Sequence, residues 1–301
     1  MRIPLFLWNS LIYNKILKPL SIIPGFERVY IIPDKELWFV PFESLVTKYT
    51  PNKPYHKLTY FIDQQTLVSY HFSIRAISYL YNQIERNDTI KEINRVAFTA
   101  GTGRTEAEES DINSNLKKWM KKVSSVIDKK GGMTTKSLYD EFSDVNSFFA
   151  FIKAFDAVVF AAHGSFEEHE QPKLRLNSSQ TLSRRDIKKV GQLNWELLIL
   201  YTCFSGDGEL RNGEGLMTLC RAFFERHVQN IVYSLYMVNS KYNKKVMNLF
   251  FKEIVEPKSS NVSFARALSA AKRKIAHAKG AVPSDWSGLL FIGDQNRSLF
   301  N

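Results

Sequence analysis

Seven runs of almost uninterrupted apolar residues, each about one strand long, constrain this chain more than any other feature. They are RVYIIP (28–33), LVSYHF (67–72), RVAFTA (95–100), AVVFAA (157–162), LLILYT (197–202), NIVYSLYMV (230–238) and LLFIGD (289–294). A strand with one wet face alternates apolar and polar residues, whereas a run that is apolar throughout suits a strand covered on both faces. Between the runs lie segments of helical periodicity and crossover length, around 114–127, 145–154, 215–228, 241–254 and 262–278. Together they predict a mostly parallel α/β sheet.

A chain of 301 residues, 44% of them hydrophobic, can bury a large core and has room for two compact lobes. The polar stretch NDTIKEIN (87–94) is the expected seam, dividing residues 1–90 from 91–301. GTGRTEAEES (101–110) and DKKGGMTTK (128–136) combine glycine with charge and are the expected flexible loops. The N-terminal stretch starts basic and turns apolar, but Asn9, Asn14, Lys15 and Lys18 interrupt it and no cleavage pattern follows. It is expected to be an amphipathic helix of the fold rather than a signal peptide.

The net charge of +11 raises the question of a polyanionic partner. Its carriers are scattered among KKWMKK (117–122), RRDIKK (184–189), KYNKK (241–245) and KRK (272–274). Over 264–278 the residues Phe264, Ala267, Leu268, Ala271, Ile275 and Ala278 repeat at helical spacing, leaving the lysines for the outer face. No zinc-finger spacing, RNP pattern or phosphate-binding Walker loop accompanies the charge, so nucleic acid contact has no support from motif. A membrane partner is not expected either.

Only two cysteines occur, Cys203 and Cys220, which argues against a disulfide framework and for a reducing, cytoplasmic setting. Cys220 shares a helical stripe with Leu216, Leu219, Phe223 and Phe224 and reads as core. Cys203 instead follows an apolar run, as His163 does, and each has a glycine close behind. In an open parallel sheet the functional crevice lies beyond the carboxyl ends of the strands. If the two strands are neighbours, His163 and Cys203 share that crevice. A cysteine attacking a carbonyl needs a histidine to manage its proton and N–H donors for the developing oxyanion, which Gly164 and the amide of Cys203 can supply. Taken singly, such a histidine is commonly a satisfied core group and such a cysteine a small buried hydrophobe; the matched positions favour the catalytic reading. A zinc site of His163, His169 and Cys203 lacks the paired short spacings of known sites. His56, His71, His227 and His277 stand alone, and no cofactor is called for.

The blocks VVFAAHGSF, LLILYTCFSGDGELRNGEGLMTLCRAFF and NIVYSLYMVNSKYNKKVMNLFF together resemble the CHAT domain, the caspase- and separase-like cysteine peptidase family often joined to TPR repeats. RVYIIPDKELWFVPFESL, TEAEES and WSGLLFIGD resemble its opening, middle and closing segments, extending the likeness from about residue 10 to about 295. The resemblance implies a caspase-like three-layer α/β/α sandwich, with residues 1–90 as its pseudo-caspase-like N-terminal half and 91–301 as the peptidase core. His163 matches the family's catalytic histidine, Cys203 its nucleophile, and Gly213-Glu214-Gly215 its glycine-acid-glycine turn.

This implies a cysteine endopeptidase acting on a protein substrate, with a TPR-containing or other regulatory partner. The TPR repeats are missing from the sequence, so the chain is expected to be a standalone peptidase or the C-terminal part of a longer protein. Where the family carries aspartates after the next strand, this sequence has Asn239 and Ser240. They offer hydrogen bonds without charge, which points to a neutral residue before the cleaved bond unless Glu214 or Asp207 supplies a carboxylate; they also suit helix capping near Lys241. The glycine-rich stretch 205–215 is expected to be a mobile loop through which a partner switches activity. The alternative of a different class is a non-catalytic caspase-like scaffold or signalling module.

Overall fold

The computed structural model describes residues 11–20, 27–86, 93–101, 116–129, 133–139, 142–162, 164–165, 173–202, 208–211, 215–236, 240–255 and 262–297. Four short strands come first: β1 (Arg28–Ile31), β2 (Val46–Lys48), β3 (Thr59–Tyr60) and β4 (Leu67–Tyr70). β1 pairs with β4 in parallel and β2 with β3 antiparallel. Helix α1 (Ile74–Arg86) follows; its Ala76 amide donates to Ser73 Oγ at 3.1 Å.

The next segment runs β5 (Arg95–Ala100), α2 (Lys117–Lys129), β6 (Thr134–Tyr139), α3 (Val145–Ile152) and β7 (Ala157–Ala161). Three short strands come after it, β8 (Gly164–Ser165), β9 (Lys173–Arg175) and β10 (Thr181–Leu182), then α4 (Arg184–Lys189) and β11 (Leu197–Tyr201). The hairpin β12 (Gly208–Arg211) and β13 (Gly215–Thr218) leads into α5 (Leu219–Phe224) and β14 (Ile231–Ser234). The chain closes with α6 (Ser240–Val255), α7 (Phe264–Ala276) and β15 (Leu289–Ile292).

Six strands build the central sheet in the order β15-β14-β11-β7-β5-β6. All neighbours are parallel except β14 and β15. The apolar runs alternate between two cores. Val96, Phe98, Val159, Ile199 and Phe291 join one, with α2, α6 and α7; Ala97, Val158, Phe160, Leu198 and Tyr233 join the other, with α3, α4 and α5. Right-handed crossovers that travel in opposite directions along a sheet pass over opposite faces. The step from β5 to β6 goes one way and all later parallel steps go the other, so both faces are covered and the strand order reverses between β5 and β7. This is the three-layer α/β/α sandwich expected.

The N-terminal strands are packed into the same two cores, through Val46, Tyr60 and Leu67 on one side and Phe42, Phe61 and Tyr70 on the other. Gln295 Nε2 donates to the carbonyls of Val29 (3.0 Å) and Leu67 (3.2 Å), tying β1 and β4 to the chain after β15. A second tether is ionic. Lys272 on α7 has a fully buried side chain whose Nζ donates to Glu43 Oε1 at 2.5 Å and to the Leu289 carbonyl at 2.7 Å. Tyr70 Oη donates to Glu43 Oε2 at 3.0 Å and accepts from the Phe42 amide at 2.8 Å. Burial lowers the Lys272 pKa against the opposing pull of Glu43, and burial together with Glu43 drives the Tyr70 phenol far up.

Several sequence expectations change here. Lys272 is not on the outer face: it lies four residues after Leu268 and four before Ala276, on the buried ridge of α7. The helix expected from residue 215 begins at Leu219, because Gly215–Thr218 pairs with β12 instead. Those hairpin arms also occupy the described parts of the stretch read as a mobile loop. The expected loop 128–136 holds the end of α2 and the start of β6, joined by Asp128, which accepts from the Thr135 amide (3.0 Å) and hydroxyl (2.8 Å). An edge strand such as β6 needs no continuous apolar run, so it left little signal. Of the expected loop 101–110, all but Gly101 lies outside the described residues. Residues 11–20 form helical turns, with Tyr13 and Leu17 buried, in line with the helix expected near the N-terminus. No helix among the described residues is long and apolar enough to cross a membrane.

Candidate functional site

β7 and β11 are adjacent parallel strands, in register from Ala157↔Leu197 to Ala161↔Tyr201. Their apolar residues are buried on both faces, so the strands hold each other at one level. β5 joins them at the same level through Ala100↔Ala161, and the Gly101 amide extends the ladder to the Ala161 carbonyl at 2.9 Å. The carboxyl ends of these three strands thus form one edge, next to the point where strand order reverses. In doubly wound sheets that edge is where ligands bind.

A small sheet crosses this edge. β8 pairs antiparallel with β9 (Gly164↔Leu174, Ser165↔Lys173), and β9 pairs with β10. The backbone of Arg175 runs so close to Gly101 that a Cβ built on that glycine would stand 1.8 Å from the Arg175 carbonyl oxygen. Only glycine permits the approach. Through β9, then, Gly164 is anchored beside the end of β5.

On the β11 side, Tyr201 stacks on Trp119 of α2 with ring centroids 5.0 Å apart, and Thr202 is buried. After the hairpin, Thr218 caps α5 by accepting from the Arg221 amide at 3.0 Å. Cys220 lies within α5, fully buried, and burial pushes its thiol pKa far up, opposed in part by Thr218. Such a cysteine is a core residue rather than a nucleophile, as expected.

The described chain stops at Ala162 and at Thr202, the residues just before His163 and Cys203. His163, Cys203, Glu214 and Asn239 lie outside the described residues, as do His169, Asp207 and Gly213. Gly164 opens β8, Gly215 opens β13, and Ser240 is the first residue of α6. Among the described residues no group of three or more His, Cys, Asp and Glu side chains is placed to hold a metal ion.

Two histidines that seemed isolated in sequence have defined settings. His277 meets the His56 carbonyl through Nδ1 (3.0 Å) and Asp63 Oδ1 through Nε2 (2.8 Å); burial lowers its pKa, but Asp63 and the His56 carbonyl outweigh that and raise it. His71 is fully buried between the rings of Tyr30 and Phe224, and burial pulls its pKa down to about 4, only partly opposed by the Gly293 backbone. Sequence reading also missed α1 and the Glu43–Lys272 pair. The signals were present: Ser73 as a cap before Ala76 and Leu80 at helical spacing, and a lysine on an apolar ridge.

A model of the CHAT domain family matches residues 7–294. No curated protein matches the chain in sequence. Among solved structures, the Saccharomyces cerevisiae separase–securin complex is similar with a TM-score of 0.58 at 12% identity, over 88% of this chain and 15% of that one. Gingipain R, an Arg-specific cysteine proteinase, gives 0.56 at 12% identity, over 97% of this chain and 67% of that one. The complex of pro- and mature gingipain domains from Porphyromonas gingivalis gives 0.57 at 12% identity, over 97% and 68%. The chain therefore spans about a seventh of the separase it resembles, and these likenesses establish a caspase-like fold.

Proposed function

Because the chain belongs to the CHAT domain family, we propose that it is a cysteine endopeptidase working through His163 and Cys203. The observation that carries this reading is the register of β7 and β11. Ala161 and Tyr201 are partners across the sheet, and His163 and Cys203 each follow two residues later in sequence. Adjacent parallel strands lie about 4.8 Å apart, so two side chains leaving the same edge at matched positions start within reach of one another.

In this mechanism His163 takes the proton of the Cys203 thiol, and the thiolate attacks the scissile carbonyl. The N–H groups of Gly164 and Cys203 stabilise the oxyanion as it forms. His163 returns the proton to the leaving amine, leaving a thioester acyl-enzyme, and then acts as base for the water that hydrolyses it. The anchoring of Gly164 through β9 and Gly101 supports its role, since an oxyanion donor acts best when held in place before reaction. No metal or cofactor enters these steps.

Asn239 and Ser240, after β14, are proposed to line the pocket for the residue before the scissile bond. A buried arginine or lysine there needs a carboxylate, because an unpaired buried charge costs several kcal/mol. A neutral residue is therefore preferred, and a peptide-library profile dominated by arginine would instead assign Glu214 or Asp207 the pairing role. Residues 1–90 are proposed as the N-terminal half of the domain and 91–301 as its peptidase core, with activity set by a protein partner that acts through the stretch 205–215. The direct test is cleavage of a protein or peptide substrate, and labelling by a thiol-directed peptidyl probe, in the wild type and in Cys203→Ala and His163→Ala. Both variants should fold and neither should cleave. Equal cleavage by wild type and Cys203→Ala would end this reading.

A further inference from the structure

A cavity of about 360 Å³ opens between α1 and α5, on the face of the sheet covered by α3, α4 and α5. Its apolar walls are Phe72, Ala76, Tyr79 and Phe224, and Arg75, Arg221, Glu225 and His227 also stand among the lining residues. Three aromatic rings and an alanine make a site for an apolar side chain. Beside the cavity, between Ser73 and Arg75, Ile74 is 75% exposed.

Among the described residues, cations outnumber carboxylates around the cavity. Arg221 lies 5.7 Å over the Phe72 ring and pairs with Glu225 at 3.1 Å; Lys188 of α4 pairs with the same Glu225 at 3.0 Å. Arg226 follows directly, and Arg75 is exposed with no ion-pair partner among the described residues. Two cations thus pair with one carboxylate, and Arg75 adds a further positive charge to the lining. Glu225 is held low by Lys188 and Arg221 against the effect of its burial, so it stays ionised and fixes both cations in place.

We propose that this cavity is the docking site for an acidic peptide segment of a partner protein, with one aromatic or large aliphatic side chain in the cavity and flanking carboxylates on Arg75, Arg221 and Lys188. The walls supply few polar atoms with which to read the edge of a nucleobase, which favours a peptide over a nucleic acid. An anchor side chain in an apolar pocket with a charged rim is the usual form of an interface hot spot. The site stands apart from His163 and Cys203 in sequence and does not depend on the peptidase reading.

The test is fluorescence anisotropy with a labelled peptide in which a single Phe is flanked by Asp and Glu, using the full chain. Saturable binding is expected, with affinity falling steeply as salt rises. Replacing Phe by Ser in the peptide, or Arg75→Glu in the protein, should each weaken binding by about tenfold or more, since Arg75 is exposed and its variant should keep the wild-type melting temperature. Ala76→Trp, which fills the cavity, should abolish the Phe dependence. The proposal is overturned if the peptide shows no saturable binding up to about 1 mM, if Arg75→Glu and Ala76→Trp bind as the wild type does, or if a single-stranded oligonucleotide binds more tightly than the peptide.

Discussion

The junction of Glu43, Tyr70 and Lys272 and the carboxyl edge of β7 and β11 use polar chemistry in opposite ways. At the junction every charged atom is buried, and each has its partner within the protein. At the edge the buried strands end at Ala161 and Tyr201, and the side chains proposed to react, His163 and Cys203, follow two residues later in sequence. A buried network whose charged atoms are paired with one another holds segments together but lies out of a substrate's reach. A strand end carries a side chain out of the sheet without unsealing the core. The difference separates residues whose loss should unfold the protein from residues whose loss should silence it.

The largest expected effect is on catalysis. Cys203→Ala and His163→Ala should each reduce peptide cleavage by about ten-thousandfold or more, with the unfolding midpoint unchanged. Loss of the fold in either variant would break the distinction, because it would place these residues in the structural class.

At the junction the expectation reverses. Lys272→Met leaves Glu43 buried and unpaired and should cost about 3–5 kcal/mol in denaturant unfolding, whereas the double variant Glu43→Leu/Lys272→Met should recover most of that loss. A double variant no more stable than the single one would show that the tether depends on charge rather than on filling the space.

Acid sharpens the comparison further. His71 has a folded pKa of about 4, below its usual 6.5, so the unfolded chain takes up the proton first. Stability supplied by the neutral, buried imidazole is complete above pH 6.5 and is lost as pH falls toward 4, by roughly 3 kcal/mol. His71→Phe, which keeps a ring between Tyr30 and Phe224, should flatten that part of the pH–stability curve. His277 has the opposite sign: its raised pKa means that its contribution is complete below 6.5 and fades as pH rises through the folded value. In a variant lacking Asp63, Asp63→Asn, this small alkaline-side decline should disappear from thermal melts. Cys220→Ala should change least, with full activity and a stability loss of about 1 kcal/mol.

Several elements were legible because their cause is local. AVVFAA and LLILYT suit strands buried on both faces, being short and apolar almost throughout, and the stripe around Cys220 marked it as core. The matched positions of His163 and Cys203 after their strands were also legible, conditional on those strands being neighbours. That condition depends on pairing between residues about 40 positions apart, Ala161 and Tyr201, and no local pattern contains it. β6 and the hairpin of β12 and β13 escaped notice for the same reason: their residues are ordinary until a partner strand supplies hydrogen bonds.

By itself the sequence determined the fold class, the buried strands and the matched positions of His163 and Cys203 after two of them, because hydrophobic periodicity and residue chemistry act over a few neighbours. The tertiary structure alone decided the strand order, the closeness of β9 to Gly101, the burial of Lys272 against a glutamate 229 residues away, and the cavity between α1 and α5. Each of these is a contact between segments distant in sequence, formed only when the packed sheet brings them together.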